Sequence, residues 1–304
     1  MKLEHNTNEP NNDILISVVI PSYNEEKFIE RCLESVLLQE ITENYEVIVV
    51  DSSSDSTVSI ISNKFSTVRL FHFDQKMFPG AARNEGVKQA RGKIVAFLDA
   101  HCIADIYWLG NGLRAMKESG CLVVGGSLRN GNSASLVSVA DYILAFNEFS
   151  EGMPSRRVEF MPTCNLLCTK SVFDDVGGFE GGLRAGEDTM FCYMVKQKGY
   201  SLYFDAGVVV SRFNRETLSA YLKHHYTFGG YSAQVRRKVS LPGSVFVRFP
   251  ILTVIVPFVR TARIFMRLLR QNRRLLLWFL LTFPLVFIGI CAWSVGFIKE
   301  AWTK

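Results

Sequence analysis

Residues 94–98 form an apolar run that stops at Asp99, and His101 follows two positions later. Five apolar residues after Gly92-Lys93 read as a buried strand. A carboxylate at the carboxyl end of a strand in an open α/β sheet stands where such sheets bind ligands. Asp99 and His101, two apart on extended chain, point the same way. Oxygen plus imidazole suits a divalent metal, Mn²⁺ or Mg²⁺, carrying a phosphate. The plainer alternative is an Asp helix cap followed by an unrelated His. Asp51 closes a second short apolar run, 47–50, in the same manner. A third acidic group, Glu187-Asp188, follows the glycine-rich stretch 181–186 and opens an apolar-striped helix over 190–198. Acids at a helix N-terminus are common for dipole reasons alone.

These residues must be positioned by alternating short elements. Strands are expected over 14–20, 47–50, 68–73 and 94–98, with helices after Asn24, up to about residue 64 and over 80–90. Asn24 can cap the first of these helices and Asp55 the second. Strand and helix in alternation predict a parallel sheet with helices on both faces. Beyond it, a helix over 105–117, a strand over 122–124 closed by Gly125-Gly126, a helix over 134–149 and a loop over 151–159 are expected. A strand-like stretch over 160–168, a strand over 202–210 and a helix over 216–234 follow. His224 and His225 are adjacent, so they face different sides of that last helix and make a poor metal pair. One is expected on the surface and the other near a bound diphosphate.

The chain has 304 residues, of which 48% are hydrophobic, a high share that directs attention to membrane segments. Its seven cysteines are scattered without a CxxC, which argues for reduced thiols. Cys164 and Cys168 read as strand-core residues. Residues 1–13 are polar and Asn-rich, expected to be a disordered tail without a signal peptide. Residues 275–298 carry no charge and are long enough to cross a hydrocarbon core of about 30 Å. Six arginines between Arg260 and Arg274 precede them and place that flank in the cytoplasm. Residues 236–274 are expected to form a basic interfacial or re-entrant segment that binds anionic membrane lipids. A nucleic-acid partner is not expected, because the basic residues gather beside the apolar stretch rather than along an aromatic groove.

Four motifs in order carry a resemblance: Ser17-Val-Val-Ile-Pro-Ser-Tyr-Asn-Glu25, Glu46-Val-Ile-Val-Val-Asp51-Ser-Ser-Ser-Asp55, Pro79-Gly-Ala-Ala-Arg83-Asn84-Glu-Gly86 and Phe97-Leu-Asp99-Ala-His101. With Glu187-Asp188 they resemble the family 2 glycosyltransferases over residues 14–235, with 14–101 as nucleotide-binding half and 102–235 as acceptor half. The resemblance implies the GT-A fold, a Rossmann-like, mixed but mostly parallel sheet, here followed by C-terminal membrane helices. It implies that Pro21, Tyr23 and Glu25 line the nucleotide pocket and that Asp51 bonds the nucleobase. Asp51 suits uracil, so a UDP-sugar is favoured, and guanine stays open. Arg83 and Asn84 would hold the nucleotide end of the donor, and Gly80 would let the backbone approach it. Asp99 and His101 take the place of the family's DxD metal motif, in an Asp-Ala-His form similar to that of succinoglycan-type transferases, which extend polysaccharide repeats on lipid carriers. The His ligand favours Mn²⁺ somewhat over Mg²⁺. Asp188 would be the catalytic base and Glu187 its neighbour, positioning loop or acceptor. The helix N-terminus would keep Asp188 ionised and weakly basic.

The function this implies is an inverting, metal-dependent hexosyl transfer from a nucleotide sugar to a lipid-linked glycan, on the cytoplasmic face of the inner (plasma) membrane, in cell-surface polysaccharide assembly. Transfer to polyprenyl phosphate, which needs no base, is one alternative. A non-catalytic nucleotide-sugar-binding scaffold subunit is another. The segment 216–234 lacks the Gln-x-x-Arg-Trp of processive synthases, so single-sugar transfer is expected.

Overall fold

The computed structural model describes residues 13–303; the tail expected over 1–13 lies, except for Asp13, outside the described residues. In chain order the elements are β1 (Ile16–Ser22), α1 (Ile29–Leu37), β2 (Tyr45–Asp51), α2 (Thr57–Lys64), β3 (Arg69–His72), α3 (Pro79–Gln89), β4 (Ile94–Leu98), β5 (Cys102–Ala104), α4 (Trp108–Ser119), β6 (Val123–Asn130), α5 (Leu136–Phe146), β7 (Arg156–Val158), β8 (Asn165–Thr169), α6 (Lys170–Asp175), α7 (Glu187–Gln197), β9 (Leu202–Arg212) and α8 (Leu218–Lys238). Then come α9 (Val245–Arg248), a 3₁₀ turn (Pro250–Ile255), α10 (Val256–Gln271), α11 (Arg273–Leu281) and α12 (Phe283–Trp302).

The strands form one sheet in the order β3-β2-β1-β4-β8-β6-β9-β5, with β7 beside β5 on the outer edge of β9. The first four are parallel, as the strand–helix alternation predicts. β8 then runs antiparallel to both β4 and β6, β9 is parallel to β6, and β5 and β7 are antiparallel to β9. The sheet is therefore mixed, and its parallel character is confined to the first half and one later pair. β1, β2 and β4 are buried and β-branched because helices cover both faces. Phe97, Phe173, Phe179 and Phe191 pack together where β4, α6 and α7 meet.

Several expectations are corrected. Gly125 and Gly126 do not close a strand: β6 runs through them, and its register with β9 shifts at Gly126. β5 and β7, of three residues each, are too short for a period to register. Asn24 does not cap α1. It takes a left-handed backbone (φ 57°), which Asn tolerates, and its Oδ1 accepts from Ser54 N at 2.9 Å. Asp55, expected as the cap of α2, lies one residue before the N-cap Ser56 and accepts from Thr57 N and Oγ1 at the start of the helix.

The single apolar helix expected over 275–298 is broken at Thr282 into α11 and α12. Pro284, in the first turn of α12, has no N–H to give α11 and its ring cannot follow a continuous helix. Among the described residues, α12 alone is long and apolar enough to cross a membrane, judged by length and composition. In this structure it lies along α8. A Cβ on Gly229 would stand 1.9 Å from the Trp293 carbonyl oxygen, and one on Gly296 1.8 Å from that of Tyr226, so the two backbones meet where only glycine fits. Tyr221 Oη donates to the Leu285 carbonyl at 2.9 Å over Gly289.

Candidate active site

The carboxyl ends of β1 and β4 open into a cleft of about 280 Å³ whose far wall comes from the 184–188 segment and α8. Pro21, Tyr23, Glu25, Arg83, Asp99, His101, Glu187 and Asp188 line it, so eight of the ten residues singled out in the sequence meet in one place. Asp51 and Asn84 do not. The Asp51 carboxylate is fully buried at the end of β2 and accepts from Ser53 N, Ser53 Oγ and His72 Nδ1 at 2.8, 2.6 and 3.0 Å. A carboxylate has about four acceptor positions, so one remains for a further donor. Asn84 binds the backbone of Phe179 with both side-chain amide atoms, at 2.8 and 2.9 Å. It braces the loop that leads to α7 rather than facing the cleft. Gly80 is likewise approached by that loop, with Glu180 O 3.0 Å from where its Cβ would stand, and its smallness serves packing.

Arg83 ties the acids together. It is 3% exposed, and its Nη2 bonds Asp99 Oδ1 at 2.7 Å while Nη1 bonds Glu187 Oε1 at 2.8 Å. Burial alone would raise the Asp99 carboxyl, but the charges of Arg83 and Arg212 hold it below the ordinary carboxylate range. Glu187, expected to position loop or acceptor, lines the cleft with Oε1 bonded to Arg83. No sequence spacing announces this link, because Arg83 and Glu187 are 104 positions apart.

Glu25 accepts at 3.1 Å from Nδ1 of His101. A carboxylate only accepts, so Nδ1 carries the proton and Nε2 presents its lone pair. That Nε2 lies 4.0 Å from Asp99 Oδ2. Metal bonds to such ligands are about 2.1 Å, so one ion reaches both atoms. The donor set therefore fits a divalent cation with an oriented imidazole behind it. Among the described residues no third acid, His or Cys completes a cluster, so the remaining positions are open to phosphate and water.

Asp188 is the carboxylate of a different kind. Gly186, in the left-handed region at φ 88°, turns the chain into α7 and delivers Asp188 to the cleft wall. Its Oδ1 accepts from Thr189 N at 2.7 Å. Burial first, and then the charge of Glu187, push its pKa up to about 7, against the Thr189 N–H and Arg83. The expectation that the helix N-terminus keeps it fully ionised is overturned: desolvation and a like charge outweigh the dipole. Among the described residues, Asp188 is also the one cleft carboxylate to which no basic side chain is bonded, since Glu25 bonds the His101 imidazole and both Asp99 and Glu187 bond Arg83.

Arg184, Arg212 and Phe228 also line the cleft and were not singled out from sequence, and His224, one of the pair of which one member was expected near a bound diphosphate, lines it too. Arg212 ends β9 as Asp99 follows β4, so the same strand-end rule finds it. Neither His224 nor His225 sits on the open surface. His224 stacks on Phe228 in the cleft wall, and His225 is buried with Nε2 2.9 Å from Asp141 Oδ1. Asp141, a lone acid in the apolar run of α5, also accepts from Arg215 N and Nη1 at 3.1 Å.

The family model described as "Glycosyl transferase family 2" matches residues 17–185. The glycosyltransferase AglE of Haloferax volcanii is 34% identical over 205 residues, 64% of this chain and 65% of that protein. A Methanococcus voltae protein, the dolichyl N-acetyl-α-D-glucosaminyl phosphate 3-β-D-2,3-diacetamido-2,3-dideoxy-β-D-glucuronosyltransferase, is 27% identical over 73% of this chain and 74% of its own. The mannosyltransferase PcManGT of Pyrobaculum calidifontis, solved with GDP-Man and Mn²⁺, shares the fold with a TM-score of 0.63 at 17% identity, over 95% of this chain and 87% of its own. S. aureus TarS 1-349 with UDP-GlcNAc gives 0.52 at 20% identity, over 72% and 66%. The family model spans more than half of the chain and covers the Asp99, His101 and Arg83 positions just described, so this protein belongs to glycosyl transferase family 2.

Proposed function

We propose that the protein transfers a hexosyl unit from a nucleoside-diphosphate sugar, a UDP-sugar first among them, to a hydroxyl of a lipid-linked glycan with inversion at the anomeric carbon. One observation carries the reading: a cleft carboxylate, Asp188, that no cation neutralises and whose pKa lies near 7. A general base works best when its pKa lies near the operating pH. Asp188 takes the acceptor hydroxyl proton as that oxygen bonds to C1 of the sugar. The bond from C1 to the diphosphate oxygen breaks on the opposite face, and the electron pair leaves with the nucleoside diphosphate. The other three cleft acids are committed to His101 or Arg83, which leaves no second free carboxylate to form a covalent intermediate. A divalent cation, Mn²⁺ ahead of Mg²⁺, would neutralise charge on the departing diphosphate. Asp99 and His101 would hold it, with Glu25 fixing the imidazole. Tyr23 and Pro21 line the nucleotide end, where Lys76 Nζ sits 3.6 Å above the Tyr23 ring, and Asp51 accepts from the base.

The acceptor side rests on the names of the relatives and on the C-terminal helices. The M. voltae relative acts, by its name, on a dolichyl-phosphate sugar. Here Ile251, Phe258, Leu277 and Leu281 are each more than 60% exposed on the 3₁₀ turn, α10 and α11. So many exposed apolar side chains on one segment mark a membrane contact. Arginines 263, 267, 270, 273 and 274 flank them and suit anionic head groups at the cytoplasmic face of the cell membrane. The Asp-Ala-His form of the metal motif supports kinship with enzymes that extend polysaccharide repeats.

The experiment is a panel of UDP- and GDP-sugars incubated with the protein and native lipid extract, in Mn²⁺, Mg²⁺ or EDTA, reading nucleoside diphosphate release. Turnover of one donor that needs both metal and lipid is the expected result. Turnover of that donor with polyprenyl phosphate alone replaces the glycan acceptor, and donor binding without turnover in every extract replaces the enzyme reading with the scaffold one.

A further inference from the structure

Two arginines are buried among the described residues, Arg83 and Arg212. Arg83 has two carboxylates. Arg212, 9% exposed, has none within ion-pair distance. Its Nη1 donates to Asn214 Oδ1 at 3.0 Å, its guanidinium lies 5.0 Å from the centre of the Phe146 ring, and its buried Nε has no partner. The carboxylates of Asp99 and Asp141 act on its charge from beyond ion-pair distance and neither bonds the orphaned Nε, so the guanidinium keeps a donor for a further anion.

The place is in the cleft, which Arg212 lines. β5 begins at Cys102, one residue after His101, and pairs Cys102 with Arg212. Phe213 N donates to the His101 carbonyl at 3.1 Å. The backbones of β5 and β9 thus hold Arg212 next to the 99–101 turn, and its side chain lines the same cleft as Asp99 and His101. The side chain is also held in advance of any ligand. Asn214, its partner, gives its amide to Asn130 Oδ1 at 2.9 Å and its backbone N–H to Asn132 Oδ1 at 2.8 Å. A rigid planar fork with an unused donor edge, in a cleft, matches phosphate oxygens.

We propose that Arg212 is a phosphate-binding residue of this cleft, receiving an oxyanion on its unused N–H edge. The inference rests on the glycosyltransferase reading of the cleft. That reading supplies two sources of the same chemistry, the diphosphate of the donor and the phosphate of a lipid-phosphate acceptor.

The test uses the purified full chain as wild type, Arg212→Gln and Arg212→Lys, with melting temperature measured for each. UDP and GDP with Mn²⁺, and separately farnesyl phosphate, are titrated by calorimetry. A charge-assisted hydrogen bond lost from such a site weakens binding about 10- to 100-fold in Arg212→Gln. Arg212→Lys, which keeps the charge and loses the fork, falls between. Weakening confined to the nucleoside diphosphates assigns Arg212 to the donor, and weakening confined to farnesyl phosphate assigns it to the acceptor. Weakening of both places it where the two phosphates meet. Equal affinities in wild type and a folded Arg212→Lys overturn the inference and leave the glycosyltransferase reading standing. A wild type that binds none of the three probes overturns both.

Discussion

At the scale of single residues, the cleft is an exercise in dividing charge. Asp99 and Glu187 share the charge of Arg83, Glu25 accepts from the His101 imidazole, and Asp188 is left to titrate. Removing Arg83 leaves two acids facing each other without their shared cation. Arg83→Met is therefore expected to lower folding stability by about 3–5 kcal/mol, measured by urea unfolding, in the range found for breaking buried ion pairs. The raised Asp188 pKa has a definite sign: the group is protonated below about 7 and is ionised, and so able to accept the proton of the attacking hydroxyl, only above it. The acidic limb of kcat/KM is expected to climb with pH and to level above about 7. Asp99, His101 and Asp188 were legible in the sequence because each sits at a point of punctuation, a strand end or a helix start. Their partners were not. The Arg83 fork spans residues 16 and 104 positions away, and the depressed or raised pKa of each acid follows from those partners and from burial, which no local pattern encodes.

At the scale of elements, α8 carries three roles on three faces. His224 and Phe228 wall the cleft, His225 and Tyr221 tie the helix to α5 and α12, and Gly229 lets α12 lie against it. Gly296→Leu places atoms where the Tyr226 carbonyl stands, so it is expected to cost about 1–3 kcal/mol or more and to lower the melting temperature. Asp141 lies inside the same joint. Burial would raise its carboxyl, but the hydrogen bond from His225 and the charge of Arg215 hold it well below the usual range. A depressed acid stabilises the folded state above its unfolded pKa of about 3.9, and that contribution fades as pH falls below it. Acid unfolding below about pH 4 is expected to be shallower in Asp141→Asn, which is already weakened at neutral pH, than in wild type. The helix itself was legible at 216–234, two residues early at its start and four short at its end. Which of its histidines is buried was not, because the hydropathy of His does not report a carboxylate arriving from α5.

At the scale of the whole molecule, the first half of the sheet follows from strand–helix alternation, and the second half departs from it. β8 enters antiparallel between β4 and β6, and non-local pairing of this kind leaves no trace in a local period. The C-terminal part reads as apolar and basic in sequence, and it is so in the structure, yet Pro284 and the glycine contacts with α8 turn the expected straight span into a helical layer against the catalytic domain. The exposed apolar side chains of that layer are expected to carry the protein onto vesicles. Co-sedimentation with vesicles containing anionic lipid should be strong at low salt and weaker at high salt, because exposed charges are screened. The double variant Ile251→Asp/Phe258→Asp should lose most of it while retaining nucleoside-diphosphate binding.

The central claim is that Asp188 removes the acceptor proton. The most direct measurement is turnover of the preferred nucleotide sugar, with metal and lipid acceptor, by wild type and Asp188→Asn across pH, beside donor affinity for each. The account predicts a loss of about 10²- to 10⁴-fold in kcat for Asp188→Asn, the ordinary range for general base catalysis, with donor affinity retained and the limb near pH 7 gone. An Asp188→Asn protein that turns over within a few-fold of wild type, with the same pH profile, would contradict it.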